Sequence, residues 1–296
     1  LELSLSATEE FMTIPRTGPE RAAAAMPSSD SGEATFHRSH IPRTKIVGTL
    51  GPASNTADGI RALIEAGLDV ARINFSHGTH EQHARTIAIV REVADALGRP
   101  VAIMGDLQGP RIRIGDLHAP RELAAGESLV LVPEHSAHDG EIPITYDELC
   151  NDVAPGNRIL INDGLIELVV TAVDGARVTA TVVHGGTLSS HKGMNLPGIA
   201  VSAPSITDKD KADIVFAVDS NLDALALSFV RRAEDIESLR KLVPKSILVV
   251  AKIEKDVALQ NIEEIVQATD AVMVARGDLG VELPFEEVPI AQKKII

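Results

Sequence analysis

The sequence predicts an α/β fold: an incomplete (β/α)8, or TIM, barrel of about six βα units, with an all-β domain inserted after the third strand. Three observations lead there. Short aliphatic runs alternate with segments of helical period over 44–109 and again over 204–296, the rhythm of βα units in series. Between them, 110–203 offers only short β-rich runs separated by turn signals. Strand after strand also begins apolar and ends polar, as barrel strands do where they open onto an active site. A doubly wound open sheet is the structural alternative, but no G-x-G-x-x-G follows the first apolar run.

Composition narrows the class without naming an activity. The 296 residues are enough for one large domain or two ordinary ones, and 44 % hydrophobic content supports a sizeable core. No apolar run approaches the ~18 residues of a membrane span. A net charge of −14 argues against general nucleic-acid binding. One cysteine, Cys150, leaves no disulfide framework and no cysteine-based metal site. Residues 22–26 are rich in small side chains but lack the apolar stretch of a secretory leader. The expectation is a cytoplasmic protein with neither nucleic-acid nor membrane partners. Aromatics make up 2 % with no Trp, so Ala, Val, Ile and Leu must fill the core, a palette suited to buried parallel strands.

Residues 1–43 carry Pro, Ser, Thr, Glu and scattered Arg without hydrophobic period and are expected to be disordered. The chain starts at Leu1, which suggests a fragment or an over-extended reading frame, with Met12 and Met26 as candidate starts. The first strand is KIVGTL at 45–50, followed by a helix with Ile60, Leu63, Ile64 and Gly67 at helical spacing. The second strand is DVARINF at 69–75; its helix presents Ile87, Val90, Ala94 and Leu97 and stops at Gly98, a C′ glycine. The third strand is VAIMGDL at 101–107. In the insertion, strands are expected at 128–132, 158–161, 165–173 and 177–183. Barrel rhythm resumes at Thr207, a helix cap with Asp210 three residues on. Strands then fall at 224–229, 247–254 and 271–275, separated by helices, and another helix begins at 288.

The run ILVVAKIE at 247–254 is the most informative, because a strand buried on both faces ends in two charges. Period two puts Val250, Lys252 and Glu254 on one face. By the same rule Val70, Arg72, Asn74 and Ser76 share a face of the second strand, and Ala102, Met104 and Asp106 one of the third. Val272, Val274, Arg276 and Asp278 would share one of the sixth. A single Lys-x-Glu is most simply a structural ion pair. Four polar ends in parallel converge, and that makes a site.

The residue types suggest phosphate chemistry. Glu254 and Asp278 are hard oxygen ligands suited to Mg²⁺, which takes one or two carboxylates plus substrate oxygens. Arg72, Arg113 and Lys252 are fixed positive charges in an acidic chain, although Arg113 taken alone reads equally well as surface charge. Phosphoryl transfer asks the protein mainly for positioning and charge neutralisation. His77 and His80 beside Ser76 form neither a zinc site nor a nucleophile elbow, since ligand spacing and elbow motif are both missing.

In chain order, KIVGTLGPAS, ARINFSHGTHEQH, GDLQGPRIRIG, HKGMNLPG, ITDKDKADI, AKIEK and MVARGDLGVELP resemble the pyruvate kinase family over 44–296. The resemblance implies a barrel with a β lid, and transfer of phosphate from phosphoenolpyruvate to ADP, giving pyruvate and ATP in the last step of glycolysis. It implies that Arg72 binds the phosphoryl group and that Lys252 stabilises the transferring phosphoryl and the enolate oxygen. Glu254 and Asp278 become ligands of Mg²⁺ (or Mn²⁺), with the Gly277 and Asp278 backbone N–H groups on the substrate carboxylate. Arg113 and Lys192 would hold nucleotide, with Thr49, Pro52, Asn74 and His77 close by. The full-length enzyme would be a homotetramer.

Two features depart from the family pattern. Its monovalent-cation site matches Asn74, Ser76, Asp106 and a backbone carbonyl, here that of Leu107 rather than Thr. Arg111 stands where potassium-dependent members carry Glu, so a bound K⁺ is expected to be dispensable. The resemblance implies seventh and eighth strands and a C-terminal domain beyond this stretch, and the 296-residue chain expressed alone is expected to be poorly soluble and inactive. The competing readings are another Mg²⁺-dependent barrel enzyme acting on pyruvate or a 2-oxo acid, such as a class II aldolase, and a truncated, non-catalytic product.

Overall fold

A computed structural model describes residues 10–13, 43–199 and 201–296. β1 (Glu10–Thr13) precedes the first βα unit, which is β2 (Ile46–Thr49) and α1 (Ala57–Ala66). β3 (Leu68–Asn74), α2 (His80–Leu97) and β4 (Ala102–Asp106) follow. After an all-β stretch, described below, come α4 (Asp208–Asp219), β13 (Ala224–Leu227), α5 (Ala233–Arg240) and β14 (Leu248–Ile253). The order closes with α6 (Asp256–Gln260), α7 (Ile262–Ala268), β15 (Ala271–Val274), α8 (Arg276–Glu282) and α9 (Val288–Ile295).

Sequence chemistry explains where these helices start and stop. Thr56, Thr79 and Thr207 each cap a helix N-terminus through the side chain, the last two as full capping boxes with Gln82 and Asp210. Gly67 and Gly98 end α1 and α2 in the left-handed conformation that glycine adopts at least cost.

One sheet runs in the order β1-β15-β14-β13-β4-β3-β2, parallel throughout except for β1, which pairs antiparallel with β15. Residues 10–13 therefore form a strand, contrary to the expectation of disorder for 1–43; the rest of 1–42 lies outside the described residues. The same pairing covers one edge of β15, the sixth barrel strand. The sheet separates two apolar layers. Met104, Ala224, Ala226, Val250, Ala271 and Met273 pack together on its inner face. Ile73, Ile103, Leu225, Leu227, Val249, Ile253, Val272 and Val274 join the helices in the larger outer core. Gly105 sits where outer packing is tightest, since a Cβ there would meet the Phe75 ring at 2.6 Å.

This layering corrects one face. On β15 the inward residues are Ala271 and Met273, not Val272 and Val274. The strand ends at Val274 and a helix begins at Arg276, so Arg276 and Asp278 reach the strand ends from α8 rather than along a pleated face.

Residues 121–195 form the all-β stretch. It contains β5 (Arg121–Leu123), β6 (Ser128–Pro133), β7 (Ile142–Ile144), a helical turn α3 (Leu149–Asp152), and β8 (Arg158–Ile161). Then come β9 (Ile166–Asp174), β10 (Arg177–His184), β11 (Gly186–Leu188) and β12 (Met194–Asn195). Their sheets run β12-β8-β9-β10-β6-β7 and β11-β5, around a core of their own that includes Leu131, Ile144, Ile161, Leu168 and Val178. We call this the β unit.

Candidate active site

Strand register sets the site. Thr49 lies opposite Arg72, and two residues further on Asn74 and Ala226 lie opposite Asp106, so polar residues of neighbouring strands gather at successive levels of the C-terminal edge. Lys252 stands at the centre. Its side chain is 8 % exposed, and Nζ lies 2.8 Å from Glu254 Oε1, 3.3 Å from Asp106 Oδ1 and 2.9 Å from the Ser228 hydroxyl. Burial alone would push the lysine pKa down; the Glu254 and Asp106 carboxylates outweigh it and hold the ammonium well above the usual lysine range. The group is a permanent cation in a dry setting.

Each neighbour is held in turn. Asp106 accepts from Arg72 Nε at 2.8 Å and also from an Arg72 terminal nitrogen, while Arg72 Nη1 donates to Thr49 Oγ1 at 3.0 Å. That fixes the plane of the guanidinium. Ser228 donates to the Leu107 carbonyl at 2.7 Å, and Glu254 Oε2 accepts the Phe229 backbone N–H at 2.6 Å. Phe229 adopts φ 56°, a left-handed conformation costly for a bulky residue, and in it donates its N–H to Glu254.

A cleft of about 300 Å³ opens beside this cluster, between the β unit and the strand ends. Arg113, Lys192 and Asn195 line it from one side, and Phe229, Arg231, Lys255 and Asp278 from the other. Arg111 lines it as well; burial and the Arg111 charge both lower the pKa of Arg113. Phe229 joins the two regions, donating its backbone N–H to Glu254 and lining the cleft.

The structure thus brings Arg72, Asp106, Lys252 and Glu254 into one network and gathers Arg111, Arg113, Lys192 and Asp278 around the cleft. Thr49 joins the first group through Arg72. Pro52 and His77 are exposed and do not line the cleft; Gly277 is exposed at the start of α8. Asn74 Oδ1 accepts from the Ser76 N–H at 2.9 Å, closing the loop after β3 on itself. Ser228, Lys255, Arg231 and Asn195 were not singled out from sequence. Ser228 ends the apolar run ALALS and Asn195 sits in HKGMN, so neither carries a charge to flag it.

Glu254 holds its carboxylate in the Lys252 network, and Asp278 lines the cleft. Among the described residues no group of three or more His, Cys, Asp or Glu side chains converges.

An α/β fold with a cationic, carboxylate-flanked site at its strand ends defines a class of barrel enzymes. The family model for the pyruvate kinase barrel domain matches residues 41–296. A pyruvate kinase of Geobacillus stearothermophilus is 48 % identical over 262 residues, covering 86 % of this chain and 45 % of that protein. Those of Mycobacterium intracellulare (48 % identical, 86 % and 55 % covered) and Clostridium acetobutylicum (42 % identical, 86 % and 56 % covered) align similarly. The chain belongs to the pyruvate kinase family. It spans about half the length of the curated relatives it matches.

Proposed function

We propose that the protein transfers the phosphoryl group of phosphoenolpyruvate to ADP, with the chemistry at the Lys252 cluster and the nucleotide in the adjoining cleft. The bond from the enol oxygen to phosphorus breaks, a bond from phosphorus to the ADP β-phosphate oxygen forms, and the enolate carbon takes up a proton to give pyruvate. The observation that carries this reading is Lys252, a buried ammonium flanked by Glu254 and Asp106. Preorganised positive charge aimed at developing negative charge is the largest contribution a protein makes to phosphoryl transfer. Lys252 would neutralise the enolate oxygen and the equatorial phosphoryl oxygens. Arg72, its plane fixed by Asp106 and Thr49, would orient the phosphoryl group.

Glu254 and Asp278 would hold Mg²⁺ or Mn²⁺, which when bound supplies further neutralisation of substrate oxygens. The Gly277 and Asp278 backbone N–H groups would receive the substrate carboxylate. Arg113 and Lys192 would hold the ADP phosphates, with the β unit acting as a lid over the cleft; Thr49, Pro52, Asn74 and His77 would lie towards the nucleotide. A cytoplasmic homotetramer goes with this reading.

A monovalent cation is dispensable in this account. Asp106 already pairs with Arg72 and Lys252, the Leu107 carbonyl accepts from Ser228, and Asn74 Oδ1 accepts from Ser76. Arg111 adds a positive charge to the cleft beside Arg113. The test is ATP formation from ADP and phosphoenolpyruvate by the full-length protein with Mg²⁺, in a tetramethylammonium buffer and again with potassium added. Comparable rates are expected. A large potassium requirement overturns the cation reading, and no ATP in either buffer overturns the function.

A further inference from the structure

Glu282 lies outside the residues assigned above, yet it is the most deeply buried side-chain carboxylate at the cleft edge. Its side chain has no exposure; Oε1 accepts from Lys255 Nζ at 2.5 Å and from Asn195 Nδ2 at 2.9 Å. Oε2 is buried with no hydrogen-bond partner among the described residues. Compensation of this buried anion therefore comes through one oxygen and two donors, and loss of either leaves the charge poorly satisfied.

The two donors come from different parts of the molecule. Lys255 directly follows Glu254, just past the end of β14, lines the cleft, and sits 5.8 Å over the Phe229 ring. Asn195 belongs to β12 of the β unit, three residues after Lys192, and lines the opposite wall. Glu282 is in the last turn of α8, four residues after Asp278, so both fall on one side of that helix. A plain structural ion pair would need only Lys255 and Glu282. The amide from the β unit makes the pair depend on where that unit stands.

We infer that Glu282 is a positioning residue that holds the β unit closed: through Asn195 it ties the wall bearing Lys192 to the helix bearing Asp278. Opening the unit removes one of the two donors that compensate the buried carboxylate, so the closed arrangement is favoured before any ligand binds. The nucleotide arm of the test rests on the function proposed above; the distance arm does not.

Asn195→Asp sets two carboxylates against each other, and Glu282→Gln sets two amides. The double variant N195D/E282Q exchanges the groups, so that an amide again donates to a carboxylate and Lys255 again has an anion. Closure is read as the spin-label distance between Asp139→Cys on the β unit and Glu264→Cys on α7, in a Cys150→Ser background; Asp139 and Glu264 are both exposed. ADP affinity is read by titration with Mg²⁺ present. Each single variant should broaden the distance distribution towards longer values and weaken ADP binding about tenfold. The double variant should recover the distribution and come within about twofold in affinity. Should E282Q fail to fold, Asn195→Ala, on a half-buried strand end, must give the same broadening. Unchanged distances in the single variants, or a double variant no better than the worse single, overturn the inference. If the unmodified protein binds no ADP, the nucleotide reading fails and the distances alone decide the role of Glu282.

Discussion

At the scale of single residues, the site is governed by how one cation is shared among buried anions. Lys252 faces Glu254 and Asp106, and Arg72 faces Asp106 from the other side. Removing the ammonium leaves two carboxylates without it in a dry setting. Lys252→Met, close in shape, should lower kcat by about 10²–10³ through lost charge stabilisation. It should also lower unfolding free energy by about 3 kcal/mol, read from denaturant midpoints. An unchanged kcat would contradict the central role of this group. Ser228→Ala is a milder probe: the hydroxyl donates to the Leu107 carbonyl and accepts from Lys252, so its loss should cost about 1–2 kcal/mol of stability and roughly tenfold in kcat. Period-two reasoning made the shared face of Lys252 and Glu254 legible in the sequence, because both sit on a strand with an apolar approach. Ser228 stayed hidden because a serine ending an aliphatic run has no cost that demands explanation.

At the scale of elements, the sequence was most informative where termini carry capping chemistry. Thr207 and Asp210 form the box that starts α4, and Asp210 also accepts from the Gly109 N–H at 3.1 Å, just after β4. Thr207→Ala should destabilise by about 1 kcal/mol, measured by denaturant unfolding, and an effect near zero would show the cap to be redundant. The α8 reading failed for a related reason. Apolar residues continue to Ala275, so a strand pattern runs past Val274 unless the helical turn at Arg276 is recognised. The short β5, β7, β11 and β12 were also not read, being two or three residues each with no room for alternation.

The α2–α4 contact carries a pH signature. His83 lies edge-on to Phe75 at 5.3 Å, and its Nε2 is buried without a hydrogen-bond partner among the described residues. Burial lowers its pKa below the ordinary histidine value. The neutral ring is therefore favoured in the fold. Its contribution is complete above the unfolded pKa of about 6.5 and is lost as pH falls through the folded value. The thermal midpoint should fall between pH 7 and pH 5, and His83→Phe should flatten that slope. A slope unchanged by the substitution would assign the acid sensitivity elsewhere.

At the scale of the whole molecule, a mostly parallel sheet with apolar layers on both faces gathers Arg72, Asp106 and Lys252 towards its C-terminal edge, and the β unit stands over that edge. The alternation of βα units was plain in the sequence because the strands are short and aliphatic and, β4 apart, each barrel strand leads into a helix. What could not be read is how the sheet treats its edges. β1 pairs with β15 antiparallel, although nothing in Glu10–Thr13 marks it as a strand by period. The cleft was likewise invisible, since Arg113, Lys192 and Asp278 are distant in sequence and meet only when the β unit folds back over the strand ends. The central claim is that this architecture moves phosphate between two substrates. ³¹P NMR of the full-length protein with phosphoenolpyruvate, ADP and Mg²⁺ tests it most directly. The account predicts ADP-dependent loss of the phosphoenolpyruvate signal with matching growth of ATP, reduced at least a hundredfold in Lys252→Met. Phosphoenolpyruvate that is stable with ADP, or that disappears equally well without it, would contradict the account.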